Sequence, residues 1–160
     1  MKTITVTVYT FDELSDTAKA RACEWWRQTD TDAGAWNDES KNSIEVFCDE
    51  FRVTLRDWSV GAYAPYYFKT DATNANFRGR KLAEFDRDAM PTGYCLDCDL
   101  WQTFADEFKK TGDAKAAFDA ALHAGFKAWR DDLEGQLEDE YIGDFLEANG
   151  FGFLANGAPA

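Results

Sequence analysis

The residues that chemistry would need are few and recognisable by type and spacing. Cys95-Leu96-Asp97-Cys98 places two thiols three positions apart, the spacing of a metal knuckle or a redox pair. A structural zinc site takes four ligands, usually from two such pairs, and this chain has one pair and a single histidine, His123. A thioredoxin-like site would follow a strand in a βαβ unit, and no such context precedes Cys95. Cys95 and Cys98 therefore read as structural thiols, and Cys23 and Cys48, among apolar helical neighbours, as small buried hydrophobes. His123, between Leu122 and Ala124, reads as a satisfied helix histidine, because no nucleophile-elbow sequence accompanies it. Asp97/Asp99 and Asp86/Asp88 have cation-binding spacing, but among 30 acidic residues such pairs arise by chance. No metal, cofactor or enzymatic activity is expected.

Two larger groupings remain. Asp131, Asp132, Glu134, Glu138, Asp139, Glu140, Asp144 and Glu147 follow one another with no Lys or Arg between them. On a helix 131, 134 and 138 share one face and 140, 144 and 147 another, and like charges so spaced cost a few tenths of a kcal/mol each. They read either as an anionic surface for a basic partner or as a solvated face that keeps the chain dissolved. The second grouping is basic and aromatic: Tyr63, Tyr66, Tyr67, Lys69, Arg78, Arg80 and Lys81, with Arg52 and Arg56 just ahead. Rings for stacking and cations for phosphate would suit a nucleotide or a single strand. The competing reading is aromatic packing with cations complementing the acidic remainder.

Charge decides between partners. The formal net charge is −13. Residues 1–51 carry −6, residues 52–87 carry +3 and residues 88–160 carry −10. Nucleic-acid affinity comes largely from neutralising phosphates, so direct binding is not expected. A chain this acidic attracts basic proteins, including those built to hold nucleic acid.

The elements that must position these residues follow from hydrophobic period and caps. Ile4, Val6 and Val8 alternate with threonines and predict a half-buried opening strand. Thr10 to Glu13 has capping-box spacing, Ser15 is a second N-cap candidate, and a helix is expected from Asp16 to Gln28 with Ala18, Ala22, Trp25 and Trp26 as its stripe. Asp30 to Gly34 reads as a loop. Ile44, Phe47, Cys48 and Phe51 mark the buried face of a helix over 36–51. Residues 52–60 and 62–69, divided by Gly61, read as antiparallel strands, with Pro65 at an edge or bulge. Asp71 to Asn76 reads as a turn-rich loop and 78–85 as a short helix. Helices are expected over 97–110, over a long segment capped by Asp113, and over 139–149 ending at Gly150, with 151–154 as a last edge strand. The sum is a single α+β domain over 1–160: a small antiparallel sheet packed against several helices, with a helical C-terminal half. At 160 residues such a domain buries roughly 70% of its unfolded surface and needs no disulfide to fold. No apolar run approaches the roughly 20 residues that span a bilayer, and the alternating start lacks a signal peptide's continuous apolar stretch, so a cytoplasmic protein is expected.

Three segments carry a resemblance. Tyr9 to Ala22 running into Trp25-Trp26-Arg27, Gly93-Tyr94-Cys95-Leu96-Asp97-Cys98-Asp99, and Glu147 to Gly157 resemble, in that order, segments of a family of small acidic phage and prophage proteins, some labelled antitoxin-like. The resemblance implies a mobile-element origin and a bacterial cytoplasm. Small acidic phage proteins inhibit host defence enzymes of restriction and CRISPR type, by analogy of charge and context. The expectation is thus an accessory protein that binds and inhibits a basic, nucleic-acid-handling host protein through Asp131–Glu147. The alternative is a nucleotide or small-ligand binder using Tyr63–Lys81.

Overall fold

A computed structural model describes residues 5–29 and 35–160. The described chain is α+β and helix-dominated: α1 (Asp16–Thr29), α2 (Ala35–Glu50), β1 (Leu55–Ser59), β2 (Tyr67–Thr70), α3 (Asn74–Phe77), a 3-10 turn at Leu82–Glu84, α4 (Leu96–Thr111), α5 (Ala114–Gly135) and α6 (Asp139–Ala148). It divides into two compact units, one from the two ends of the chain and one from the middle, with the change at Gly135. Each has its own apolar core.

In the middle unit the period-3.6 faces meet as the sequence requires. Ile44, Phe47, Cys48 and Phe51 are buried from α2, Leu100, Trp101, Phe104 and Phe108 from α4, and Phe118, Leu122, Phe126, Trp129 and Leu133 from α5. Phe47 stacks on Phe118 with centroids 5.5 Å apart, and Phe51 meets Phe77, Phe85 and Phe104. Each fully buried ring contributes about 1.5–3 kcal/mol relative to exposure. Gly125 is what lets α4 come close, since a Cβ there would stand 2.6 Å from Leu100 Cδ2. Asp113 caps α5 as expected: its Oδ1 accepts the Lys115 and Ala116 N–H groups at 3.0 and 3.1 Å.

The two strands pair antiparallel, Ser59 opposite Tyr67 and Leu55 opposite Thr70, with an irregularity between Leu55 and Asp57. Both are shorter than the sequence suggests. Residues 60–66 form the connection, Pro65 lies in it rather than in a strand, and Tyr63 takes the left-handed conformation at φ 57°. Their rings bind the sheet to α5: Phe68 stacks on Phe126 at 4.9 Å and Trp58 meets Trp129 at 5.0 Å. Helix α3 occupies part of the segment expected to be a loop, and 78–85 holds only the 3-10 turn.

In the terminal unit Ala18, Ala22 and Cys23 of α1 share a core with Ile142 and Leu146 of α6 and with Phe153. Of the two N-cap candidates Ser15 begins the helix, its Oγ accepting from Ala18 N–H at 3.4 Å, while Glu13 accepts Thr10 N–H within a turn. Helix α6 ends in a complete Schellman motif: Gly150 N–H donates to Glu147 O and Phe151 N–H to Leu146 O, with Gly150 at φ 67°. The opening strand is a correction. Val6 and Val8 are 55% and 54% exposed, and among the described residues of this segment only Tyr9 pairs, in a single bridge to Phe153. Phe153 in turn bridges Pro159, so the expected last strand is a pair of isolated bridges. Alternation signals a strand only where a partner edge exists to bury one face. Ile4 and the loop expected over 30–34 lie outside the described residues.

Candidate functional site

The acidic run is built from two helices and divides between the two units. At the end of α5, Asp131 pairs with Lys127 and with Arg130, and Glu134 with Arg130 at 3.5 Å. Those cations, the Lys127 ammonium foremost, hold the Asp131 carboxyl below the usual carboxylate range. Glu134 also accepts the Tyr63 N–H at 3.1 Å, so it fastens the β1–β2 connection to α5. Asp132 is exposed on the same unit. These are i,i+4 and neighbouring pairs with cations just ahead of position 131, which a count beginning at 131 overlooks.

On α6 the balance differs. Asp139 pairs with Arg27 of α1, whose Nε also donates to Leu137 O at 2.9 Å, and Glu147 accepts the Asp12 N–H at 3.1 Å. Glu138, Glu140 and Asp144 are exposed and, among the described residues, have neither an ion pair nor a side-chain hydrogen bond. Glu138 and Glu140 stand where the helix macrodipole favours anions, a gain of about 0.3–1 kcal/mol. Asp144 is past that first turn, and among the described residues no cation pairs with it. Tyr141, 44% exposed, adds a ring to the same face.

The basic, aromatic segment does not form one site. Tyr66 stacks on Phe126 and its hydroxyl donates to His123 O at 3.2 Å, with the Arg130 guanidinium 5.7 Å from the ring centroid. Tyr67 donates to Asp57 at 3.2 Å, and Lys69 lies 3.8 Å from the same carboxylate, which together with burial pushes the Tyr67 phenol up. Arg80 is consumed internally, 2.6 Å from Glu50, 3.3 Å from Glu84 and over the Phe51 and Phe85 rings. Arg56 pairs with Asp71 at 2.6 Å. Arg78 and Arg80 line an open groove of about 600 Å³ that Phe77, Asp113 and Lys115 also border, and the other five of the seven do not border it. Lys115 there is paired with Asp119. Arg78 and Lys81 are exposed without an ion pair among the described residues.

The remaining candidates resolve individually. His123 contacts the Tyr66 hydroxyl through Nδ1 at 3.4 Å and the Phe68 ring at 4.8 Å, as a helix-surface histidine. Asp86 and Asp88 serve a turn, Asp88 N–H donating to Asp86 at 3.0 Å, with Arg87 bridging Asp88 and Asp106. Asp97 and Asp99 do not converge. Asp97 is fully buried, and its Oδ2 accepts Thr92 N–H at 2.9 Å, Thr92 Oγ1–H at 2.9 Å and Gly93 N–H at 3.1 Å. Asp99 is exposed by contrast, and partial burial pushes its carboxyl up. Asp97 is thus the organiser of the Met90–Tyr94 loop, a role its sequence context hides among many other carboxylates. Among the described residues no three His, Cys, Asp or Glu side chains gather where a metal ion could sit, and no helix is long and apolar enough to cross a membrane.

No protein-family model, no curated protein and no solved structure matches this chain.

Proposed function

We propose that this chain is a binding protein that docks the acidic face of α6 onto a basic, nucleic-acid-handling protein and inhibits it by occlusion. The observation that carries the reading is the trio Glu138, Glu140 and Asp144: exposed carboxylates with no cation paired to them among the described residues, on a chain of net charge −13. Uncompensated surface charge of one sign raises association rates with partners of the other and is screened by salt. The likeness of three segments to small phage proteins makes a host-defence enzyme the first partner to try. Asp131 and Glu134, engaged by Lys127 and Arg130, contribute less to such a surface than their sequence position suggests. The experiment is capture from bacterial lysate at low salt by the wild-type chain and by a Glu138→Gln/Glu140→Gln/Asp144→Asn variant. Nucleic-acid-binding proteins retained by the first and lost by the second support the reading; equal retention by both overturns it.

A second reading has one observation in its favour. Arg78, exposed and without an ion pair among the described residues, borders an open groove that Arg80, Lys115 and Asp113 also line, the first two already paired with carboxylates. A phosphate-bearing small ligand would fit that charge. A saturable rise in melting temperature with one nucleotide of a panel, abolished by Arg78→Ala, supports it. Tyr63, Tyr66, Tyr67 and Lys69 do not border this groove and take no part in it.

A further inference from the structure

The terminal unit keeps its largest rings at the rim of its core. The buried residues of α1 are all small, Ala18, Ala22 and Cys23. Trp25, Trp26, Phe145 and Phe151 pack around the outside of the core that these residues share with Ile142, Leu146 and Phe153, and each of the four stays half-buried. In the middle unit, by contrast, Phe47, Phe51, Phe104, Phe118 and Phe126 are fully buried. The four rim rings are contiguous. Trp26 lies 4.8 Å from Phe145 and 5.5 Å from Phe151, centroid to centroid, and Trp25 lies 6.1 Å from both Trp26 and Phe151.

Helix geometry joins this cluster to uncompensated charge within the same unit. On α6, Tyr141 and Phe145 stand at i and i+4, Tyr141 and Asp144 at i and i+3, and Glu140 and Asp144 at i and i+4. Residues so spaced are neighbours on a helix surface, so the four side chains form one strip that runs from carboxylates through Tyr141 to the rim rings. Glu140 and Asp144 are exposed and carry no ion pair among the described residues, and Tyr141 is 44% exposed. Cation–ring contacts among the described residues fall on Phe11, Phe51, Phe85 and Tyr66, and none on the rim rings. Carboxylates beside rings suit a guanidinium better than an ammonium. The guanidinium is planar, stacks on aromatic faces and sheds water more readily, while its N–H groups still reach an acceptor.

We propose that Trp26, Phe145 and Tyr141, with the carboxylates of Glu140 and Asp144, form a docking surface for arginine side chains of a basic partner segment. This rests on the reading of α6 as the recognition face and adds the side chain which that face selects. The carboxylates draw in any cation and set the rate of encounter. The rings distinguish arginine from lysine and slow its departure, as aromatic anchors do at protein interfaces.

The test titrates oligoarginine and oligolysine peptides of equal length into the full chain by calorimetry at one ionic strength. Oligoarginine should bind tighter by about fivefold, and the indole N–H signals of Trp25 and Trp26 should shift in NMR spectra as it is added. Trp26→Leu and Phe145→Leu, which keep an apolar side chain against the core, should lose most of that preference. Glu140→Gln/Asp144→Asn should weaken both peptides alike and leave the preference in place. Equal binding of the two peptides by the wild type overturns the proposal. So does a preference that survives both ring substitutions in chains with a cooperative urea transition, and so do indole signals that stay put while oligoarginine binds, a readout that needs no variant. In each of these cases the α6 reading stands if the charge variant still weakens both peptides. A charge variant that binds both as the wild type does overturns the α6 reading and the proposal together.

Discussion

Replacing Asp97 with alanine removes the acceptor that holds the loop ahead of α4. Three hydrogen bonds end on its Oδ2, and bonds to a charged acceptor are worth about 1.5–3 kcal/mol each. They do not all count in full. Gly93 is exposed, so water replaces the acceptor for its N–H, and the Thr92 hydroxyl keeps Ser43 Oγ at 2.9 Å. Deleting a buried carboxylate also recovers its desolvation cost. What remains is the half-buried Thr92 N–H and the freedom regained by the loop, a net loss of about 2–3 kcal/mol. At about 2–4 °C per kcal/mol for a protein of this size, the melting temperature falls by about 5–10 °C. Asp97→Asn supplies the internal control. Its carbonyl can replace Oδ2, but its NH₂ then sits where Oδ1 has no partner, at a cost of about 1–2 kcal/mol. Urea denaturation followed by tryptophan fluorescence measures both through the midpoint at constant slope. The order wild type, Asn, Ala is expected. An alanine variant within about 0.5 kcal/mol of wild type, or an Asn variant no better than Ala, refutes the reasoning.

Three further outcomes follow from the geometry. The Cys48 thiol is raised from 9.0 to about 12 by burial, so its contribution to stability is fully present below about 9 and is lost as pH climbs toward about 12. Denaturation midpoints over that range should fall less steeply in Cys48→Ala, and an unchanged slope would contradict the assignment. Gly157 has φ 83° and a Cβ there would lie 2.1 Å from the Ala18 carbonyl oxygen, a backbone atom that cannot swing away. Gly157→Ala should cost more than about 2 kcal/mol by chemical denaturation, and a neutral result would mean that the tail does not pack on α1 as described. Tyr63 is 68% exposed at φ 57°, so Tyr63→Gly relieves left-handed strain and gives up little burial. A gain of about 0.5–1 kcal/mol is expected, and a loss would show that the ring packs more than its exposure implies.

The parts of this molecule that the sequence made legible are those governed by local rules. Period 3.6 marked the buried faces of α2, α4 and α5, and Asp113 and Gly150 announced a helix start and a helix end because capping depends on a few adjacent residues. Position 74–77 was missed because Asn76 stands where a capping box usually has Glu or Gln, yet its Oδ1 accepts from Thr73 N–H and Oγ1–H at 2.9 Å each. The opening strand failed for a non-local reason, as no edge among the described residues pairs with Val6 and Val8. Site residues fared likewise. Arg80 and Tyr66 looked like ligand-binding groups, but the rings of Phe51, Phe85 and Phe126 and the carboxylate of Glu50 claim them. Neighbours brought from distant sequence decide whether a charge is spent inside the fold or left for a partner. Asp131 and Asp144 look alike in the sequence, and only their surroundings separate them.

The central claim is that the charge left over on α6 serves recognition. It is tested most directly by the association rate of the chain with a purified basic partner, measured over a salt series for wild type and for Glu138→Gln/Glu140→Gln/Asp144→Asn. The account predicts an on-rate that falls with salt, and a variant slower by about tenfold at low salt, its melting temperature lower by a few degrees at most through the lost macrodipole interactions. Identical rates and identical salt slopes for the two proteins would contradict it.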